Sequence, residues 1–311
     1  MARGAPTWCS ARRSTSVWSA SALGKILRAL KRRARLLVQL GWAALSNGYV
    51  QGFLGGKIWR GGTKAFCVPG LNCYSCPGAL GACPLGSLQV SLATHSGRGT
   101  AYVLGFLILV GALIGRGVCG WLCPFGLVQD LLHKIPFPQK LRKLPGDRVL
   151  KWLKYLLLAG FVVILPLFAL DAFGQGTTWF CKYVCPSGTL LAGWPLAAAN
   201  EGLRGALGWL FTWKSAILIV LILLSVVVYR PFCRYLCPLG ALYGLFNPVS
   251  LVRIRVSEAK CISCGACQKA CGLDIPVWKT PNSPECIRCG KCFAACPHAA
   301  LSVSPGKKEI S

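Results

Sequence analysis

The sequence predicts a mainly α protein: a four-helix transmembrane bundle built as a two-copy repeat, followed by a small C-terminal α+β domain. Three observations carry this. Long stretches of the chain are uncharged and strongly apolar. A Cys-x3-Cys-Pro motif follows the second predicted span and returns 114 residues later, after the fourth. The final 55 residues hold eight of the 19 cysteines at a repeating interval.

Composition narrows the class. A chain of 311 residues that is 54% hydrophobic, with a mean hydropathy of +0.53, is unlike an ordinary soluble protein. Disulfide scaffolds serve short secreted domains, and this chain is long enough to build a core. The apolar content excludes disorder. The net charge of +27 comes from 35 Lys+Arg against 8 Asp+Glu. The basic residues gather beside the predicted spans, where they orient helices and meet anionic lipid, so no nucleic-acid partner is expected.

Taken in order, residues 1–35 read as a basic cytoplasmic arm with Arg12–Arg13 and a lone Cys9, ending in a basic amphipathic helix over Lys25–Gln39. The membrane region is 36–256, with spans near 36–56, 100–115, 155–170 and 215–229. The last three runs are about 24 Å long as helix, short of the roughly 30 Å hydrocarbon core. Flanking Lys151, Lys154, Lys214 and Arg230 can snorkel, and Trp152, Tyr155, Trp209, Trp213 and Tyr229 suit the interface. Segments assigned to the cytoplasm hold 28 of the 35 basic residues, which puts both termini inside.

The tail 257–311 carries the most specific signal. CISCGACQKAC supplies Cys261, Cys264, Cys267 and Cys271, and CIRCGKCFAACP supplies Cys286, Cys289, Cys292 and Cys296. In this C-x2-C-x2-C-x3-C spacing, three thiolates grip one cubane and the fourth reaches the other. Cys261, Cys264, Cys267 and Cys296 therefore form one [4Fe–4S] site, and Cys271, Cys286, Cys289 and Cys292 the second. Gly265 and Gly290 let the backbone fold around the inorganic core. Gly272 stands where a proline usually follows the fourth cysteine. Zinc is the competing use of CxxC pairs, but spaced histidines are missing.

At the membrane surface, CGWLCPFG offers Cys119 and Cys123, and CRYLCPLG offers Cys233 and Cys237. Two thiols from each half make four, the number one [4Fe–4S] cluster needs. The outer loops carry Cys67, Cys73, Cys76 and Cys83, then Cys181 and Cys185. By the same logic Cys181 and Cys185 join two of Cys67, Cys73, Cys76 and Cys83; Cys73 and Cys76 are the closest analogue of the second-half pair, and Cys83-Pro84 is the rival. A disulfide is the competing use there, because an outer face permits oxidation. Asp130 and His133 could take protons from a quinol, although Asp130 is also spaced to pair with Lys134. Asp171, at an outer helix end, is similarly placed. None of the three histidines, His95, His133 and His298, lies in a strong span, which disfavours a bis-histidine haem.

With both CxxxCP motifs and both quartets in view, the chain resembles the bacterial membrane polyferredoxin family from about Leu36 to Leu301. The family includes the quinol dehydrogenase subunit of periplasmic nitrate reductase systems, a nitrous-oxide reductase maturation protein and a cupric reductase. The resemblance implies a two-cluster bacterial ferredoxin domain at the C-terminus and a multi-pass protein of the bacterial cytoplasmic membrane. It also implies electron exchange with a redox partner subunit bearing flavin or haem, or with quinone. The outer cysteine loops depart from that pattern. Function is expected to be electron transfer between cytoplasmic [4Fe–4S] clusters, a membrane-level cluster and an outer partner. A copper-handling cupric reductase and a transmembrane thiol–disulfide reductant are the alternatives. Arg116, Arg230 and Arg234 are expected to raise cluster potentials.

Overall fold

A computed structural model describes residues 22–169, 176–205 and 207–305. Cys9, the Arg12–Arg13 pair and Asp171 lie outside the described residues. The chain divides into two compact units, Met1–Arg35 and Leu36–Ser311. In the first, the described residues from Ala22 onward are helical, part of a helix over Ala22–Ser46. The second carries all the cysteine motifs.

Among the described residues, three helices are long and apolar enough to cross a membrane: Gly97–Ile114, Asp147–Phe168 and Trp209–Val227. At 1.5 Å per residue these measure about 27, 33 and 28 Å, so each begins earlier than its charge-free core suggested. Ser96 caps the first, its hydroxyl accepting from Gly99 N–H, and Gly115 ends it at a φ of +57. Gly146 opens the second with a φ of +75. Pro166 removes a backbone donor inside that helix, which passes through a π turn over Leu158–Ile164 just upstream. The first expected span, 36–56, is not one helix. It is divided between Ala22–Ser46 and a six-residue helix over Val50–Gly55, because Asn47 and Gly48 interrupt it.

Two of the residues expected to snorkel do something else. Lys154 and Arg230 are 0% exposed and engage carboxylates inside the protein. Trp152 and Trp209 are exposed as interface residues should be.

Beyond the spans, Val252–Val256 (β1) and Leu301–Pro305 (β2) pair antiparallel, with Ile254 opposite Val303. They bracket two short helices, Ala266–Lys269 and Lys291–Ala295. This is the small α+β unit anticipated at the C-terminus. It packs directly on the membrane-region motifs: Asn247 Nδ2 donates to the carbonyls of Ser283 and Cys286, and Arg288 donates to those of Ile114 and Asn247.

Candidate iron–sulfur sites

The two cysteine quartets of the tail each line their own small cavity. One is walled by Cys261, Cys264, Cys267 and Cys296, with His298 at its edge. The other is walled by Cys271, Cys286, Cys289 and Cys292. Each takes its fourth thiol from the other run, as the spacing demands. Gly265 and Gly290 sit at φ of +71 and +79, and Ser263 and Arg288 also have positive φ. Alternating handedness curls each loop so that its thiols face inward. Gly272 has a packing reason: a Cβ there would lie 2.6 Å from the Tyr229 ring.

The membrane-level motifs come together across the repeat. Every pair among the sulfurs of Cys119, Cys123, Cys233 and Cys237 is close enough to interact electrostatically. Cys123 and Cys237 are N-caps of the helices Pro124–Leu132 and Pro238–Phe246, and each thiol accepts from the glycine N–H three residues on. The two loops are tied by an exchange of arginines. Arg116, three residues before Cys119, donates to the Cys233 carbonyl; Arg230, three before Cys233, donates to the Cys119 carbonyl. Glycine makes room for both, since a Cβ at Gly240 would be 3.3 Å from Arg116 Nη2 and one at Gly126 3.1 Å from Arg230 Nη1.

The counter-ions were not legible beforehand. Arg116 Nη1 donates to Glu285 at 2.9 Å, and Lys154 pairs with the same carboxylate. Arg230 grips both oxygens of Asp130, at 2.7 and 2.5 Å, so Asp130 has a structural partner 100 residues away. Arg234 meets Asp147 at 2.6 Å. His133 Nδ1 lies 3.3 Å from the Ser225 carbonyl, and burial followed by Lys140 holds its pKa below the ordinary value. Gln129, almost fully buried, donates to Cys233 Sγ at 3.1 Å. Burial pushes the Cys119 thiol up to about 12 and the Cys233 thiol up to about 11. Such thiols stay protonated until a metal centre displaces the proton.

The outer loops arrange differently from expectation. Cys73, Cys83, Cys181 and Cys185 interact pairwise, all four together. Cys76 lies beside Cys73, and its thiol donates to Asn47 Oδ1 at 3.5 Å. The structure therefore brings Cys83, and not Cys76, to Cys181 and Cys185. Among the described residues, no three His, Cys, Asp or Glu side chains converge tightly enough for a single ion. A cubane, whose irons sit between the thiolates, needs a wider ring.

Comparison with known proteins settles the family. The family described as "4Fe-4S binding domain" matches residues 100–145, 153–195 and 209–257, and a second of the same description matches 281–302. An uncharacterized protein of Methanocaldococcus jannaschii is 30% identical over 211 residues, covering 66% of this chain and 79% of its own length. The chain belongs to the membrane polyferredoxin family. The methylamine utilization ferredoxin-type protein MauN of Methylorubrum extorquens is 32% identical over 178 residues, 56% of this chain and 52% of MauN. The ferredoxin-type protein NapH of Haemophilus influenzae is 30% identical over 172 residues, 53% of this chain and 50% of NapH. The polyferredoxin thus spans about half the length of these two named relatives. No solved structure matches it.

As a polyferredoxin the chain is a membrane iron–sulfur protein of electron transport that carries [4Fe–4S] clusters, and its own residues fit that cargo. Around the membrane-level quartet, four buried cations (Arg116, Lys154, Arg230, Arg234) face three carboxylates (Glu285, Asp130, Asp147). Lys151 also pairs with Asp147, so the cations outnumber the carboxylates, which suits a four-thiolate cubane carrying about −2. Arg116 Nε is also buried there without a hydrogen-bond partner, a spare donor beside the sulfurs.

Proposed function

We propose that this polyferredoxin conducts single electrons through the membrane between a cytoplasmic donor or acceptor and a partner at the opposite face. The partner is a flavin- or haem-bearing subunit or a quinone. When bound, [4Fe–4S] clusters supply one-electron transfer; the protein supplies their order and their electrostatic setting. Three of the four spans in this reading are Gly97–Ile114, Asp147–Phe168 and Trp209–Val227; the first crossing is drawn from 36–56 despite its break at Asn47–Gly48, and the distribution of basic residues favours both termini in the cytoplasm.

The observation that carries this reading is the direct abutment of consecutive thiol sets. A Cβ on Gly120, inside the Cys119–Cys123 motif, would lie 2.2 Å from the Ile287 carbonyl, inside the Cys286–Cys289 loop. On the other side, a Cβ on Gly70 would lie 3.1 Å from Cys123 Cα, which brings the 67–73 loop against the same motif. Tyr243, fully buried, donates to the Pro69 carbonyl at 3.1 Å and neighbours both Cys119 and Cys83. The tail quartets, the CxxxCP quartet and the outer loop therefore adjoin in that order.

Anaerobic purification with iron counting and EPR tests the assignment. Replacing Cys233 and Cys237 by serine is expected to remove about four irons while leaving the roughly eight of the tail. Proteoliposomes carrying ferricyanide inside and an impermeant reductant outside test the conduction. Wild type reduces the trapped oxidant and the double serine variant does not. Equal rates from the two would overturn the reading.

A further inference from the structure

We propose that Cys73, Cys83, Cys181 and Cys185 form a further iron–sulfur site, a second membrane-level quartet built on the same plan as the CxxxCP quartet, with Cys76 outside it. The inference builds on the proposed function by adding a station beyond the Cys119–Cys237 site.

Four independent details of the chain repeat around these thiols. First, the helix entries match. Cys83 and Cys185 are N-caps with proline following, at φ/ψ of −70/125 and −67/112. Cys123 and Cys237 have −82/115 and −77/110. All four sit in Cys-Pro-x-Gly. Cys76-Pro77-Gly78 lacks the intervening residue and does not start a helix.

Second, the first cysteines match. Cys181 lies on a π turn over Phe180–Val184 and Cys233 on one over Phe232–Leu236, in the related strings FCKYVCP and FCRYLCP. The 4Fe-4S binding family matches the segment holding Cys181 and Cys185 just as it matches the two that hold the other pairs. Three CxxxCP units cannot all pair with one another two by two; the third needs a partner pair, and Cys73 with Cys83 is the one in place.

Third, a glutamine is repeated. Gln89 follows Cys83 by six residues and donates to Cys181 Sγ at 3.2 Å; Gln129 follows Cys123 by six and donates to Cys233 Sγ at 3.1 Å. Both are buried, and both reach from one half of the repeat to the first cysteine of the other.

Fourth, the glycines and cations are placed alike. A Cβ at Gly86 would be 3.8 Å from Cys181 Sγ and one at Gly188 3.4 Å from Cys73 Sγ, so each turn leaves space for a thiol of the opposite motif. Lys214 Nζ donates to the Cys181 carbonyl at 3.0 Å, the part Arg230 plays at Cys119. Lys64 and Lys214 set positive charge beside Cys73, as a dianionic cluster requires. The thiols open into a cavity of about 960 Å³ that Lys182 also lines. That is room for the inorganic core and for a partner's approach.

The test is iron and acid-labile sulfide per chain after anaerobic purification, with the EPR spectrum of the reduced protein. Wild type is expected to hold about 16 irons, and C83S and C181S about 12, with C76S and C67S at the wild-type value. An unchanged count in C83S and C181S overturns the proposal, as does a loss of about four irons in C76S. C233S separates the two readings. If it loses iron while C83S does not, the outer quartet fails and the inner assignment stands. Should a serine variant fail to accumulate, alkylation of the wild-type protein before and after anaerobic removal of iron with a chelator gives the same answer. Cys83, Cys181 and Cys185 are expected to become reactive only after removal. Reaction that instead requires a disulfide reductant overturns the site.

Discussion

The arginine exchange makes a quantitative prediction at Arg230. Its guanidinium is 0% exposed, holds both oxygens of an Asp130 side chain that is 12% exposed, and supplies the Cys119 carbonyl with a donor. Arg230→Met strips the carboxylate of its bidentate partner and leaves that carbonyl short of a bond. Breaking a buried pair in this way costs about 3–5 kcal/mol. For a chain of this size that is a drop in Tm of roughly 6–20 °C. Asp130→Asn keeps the bond to Cys119 and should cost less. The double variant R230M/D130L removes both charges and should lose much less than the singles summed, by about 2 kcal/mol or more. The assay is tryptophan fluorescence melting of the anaerobically purified protein in detergent, with iron counted in parallel. If R230M melts within about 2 °C of wild type, the clamp carries no such energy and the reasoning is wrong.

Three further outcomes are expected. Gly120→Ala forces a methyl against the Ile287 carbonyl, so it should cost about 1–3 kcal/mol or more and speed hydrogen exchange over 284–288; exchange equal to wild type would show the abutment to be slack. Burial raises the Glu285 carboxyl, but Arg116 and Lys154 together hold it below the usual range. Its stabilising effect is therefore complete above the unfolded value of about 4.3 and fades only as pH falls through the lower folded value. The protection factors at 284–288, which take out the intrinsic pH dependence of amide exchange, should stay flat from neutral pH down to about 5, and a drop near pH 6 would contradict the ion pairing. Gln129→Leu removes a hydrogen bond to Cys233 Sγ, and a loss of about 1 kcal/mol on the reduced side lowers that site's potential by about 45 mV. A redox titration followed by EPR reads the shift, and an unchanged potential would show that Gln129 only packs.

The tail quartets were legible because their information is local: three thiols within seven residues of one run define each loop, and only one comes from afar. That Cys119 and Cys123 lie near Cys233 and Cys237 was legible from the repeat. Spacing alone favoured Cys76, whereas Cys83 is the thiol that lies near Cys181 and Cys185, and Cys83-Pro84-Leu85-Gly86 duplicates Cys237-Pro238-Leu239-Gly240. Spacing counted residues between thiols, whereas the chain selects on whether a cysteine can cap a helix. Lys154 and Arg230 misled for another reason. A basic residue at the end of an apolar run looks the same whether it snorkels or pairs, and their carboxylates lie 131 and 100 residues away. The break at Asn47–Gly48 was foreshadowed by the polar residues diluting 36–56.

The exchanged arginines also set a timetable for maturation. The carbonyl of Cys119 finds its donor only once Arg230 exists, and the Arg116 guanidinium finds its anion only at Glu285. A nascent chain that has emerged through residue 200 holds Cys119 and Cys123 without the groups that tie their loop to its counterpart. The site is complete only when nearly the whole polypeptide is. Cys119 is thus made 114 residues before Cys233 and 166 before Glu285, so the order of synthesis is not the order in which the site is completed.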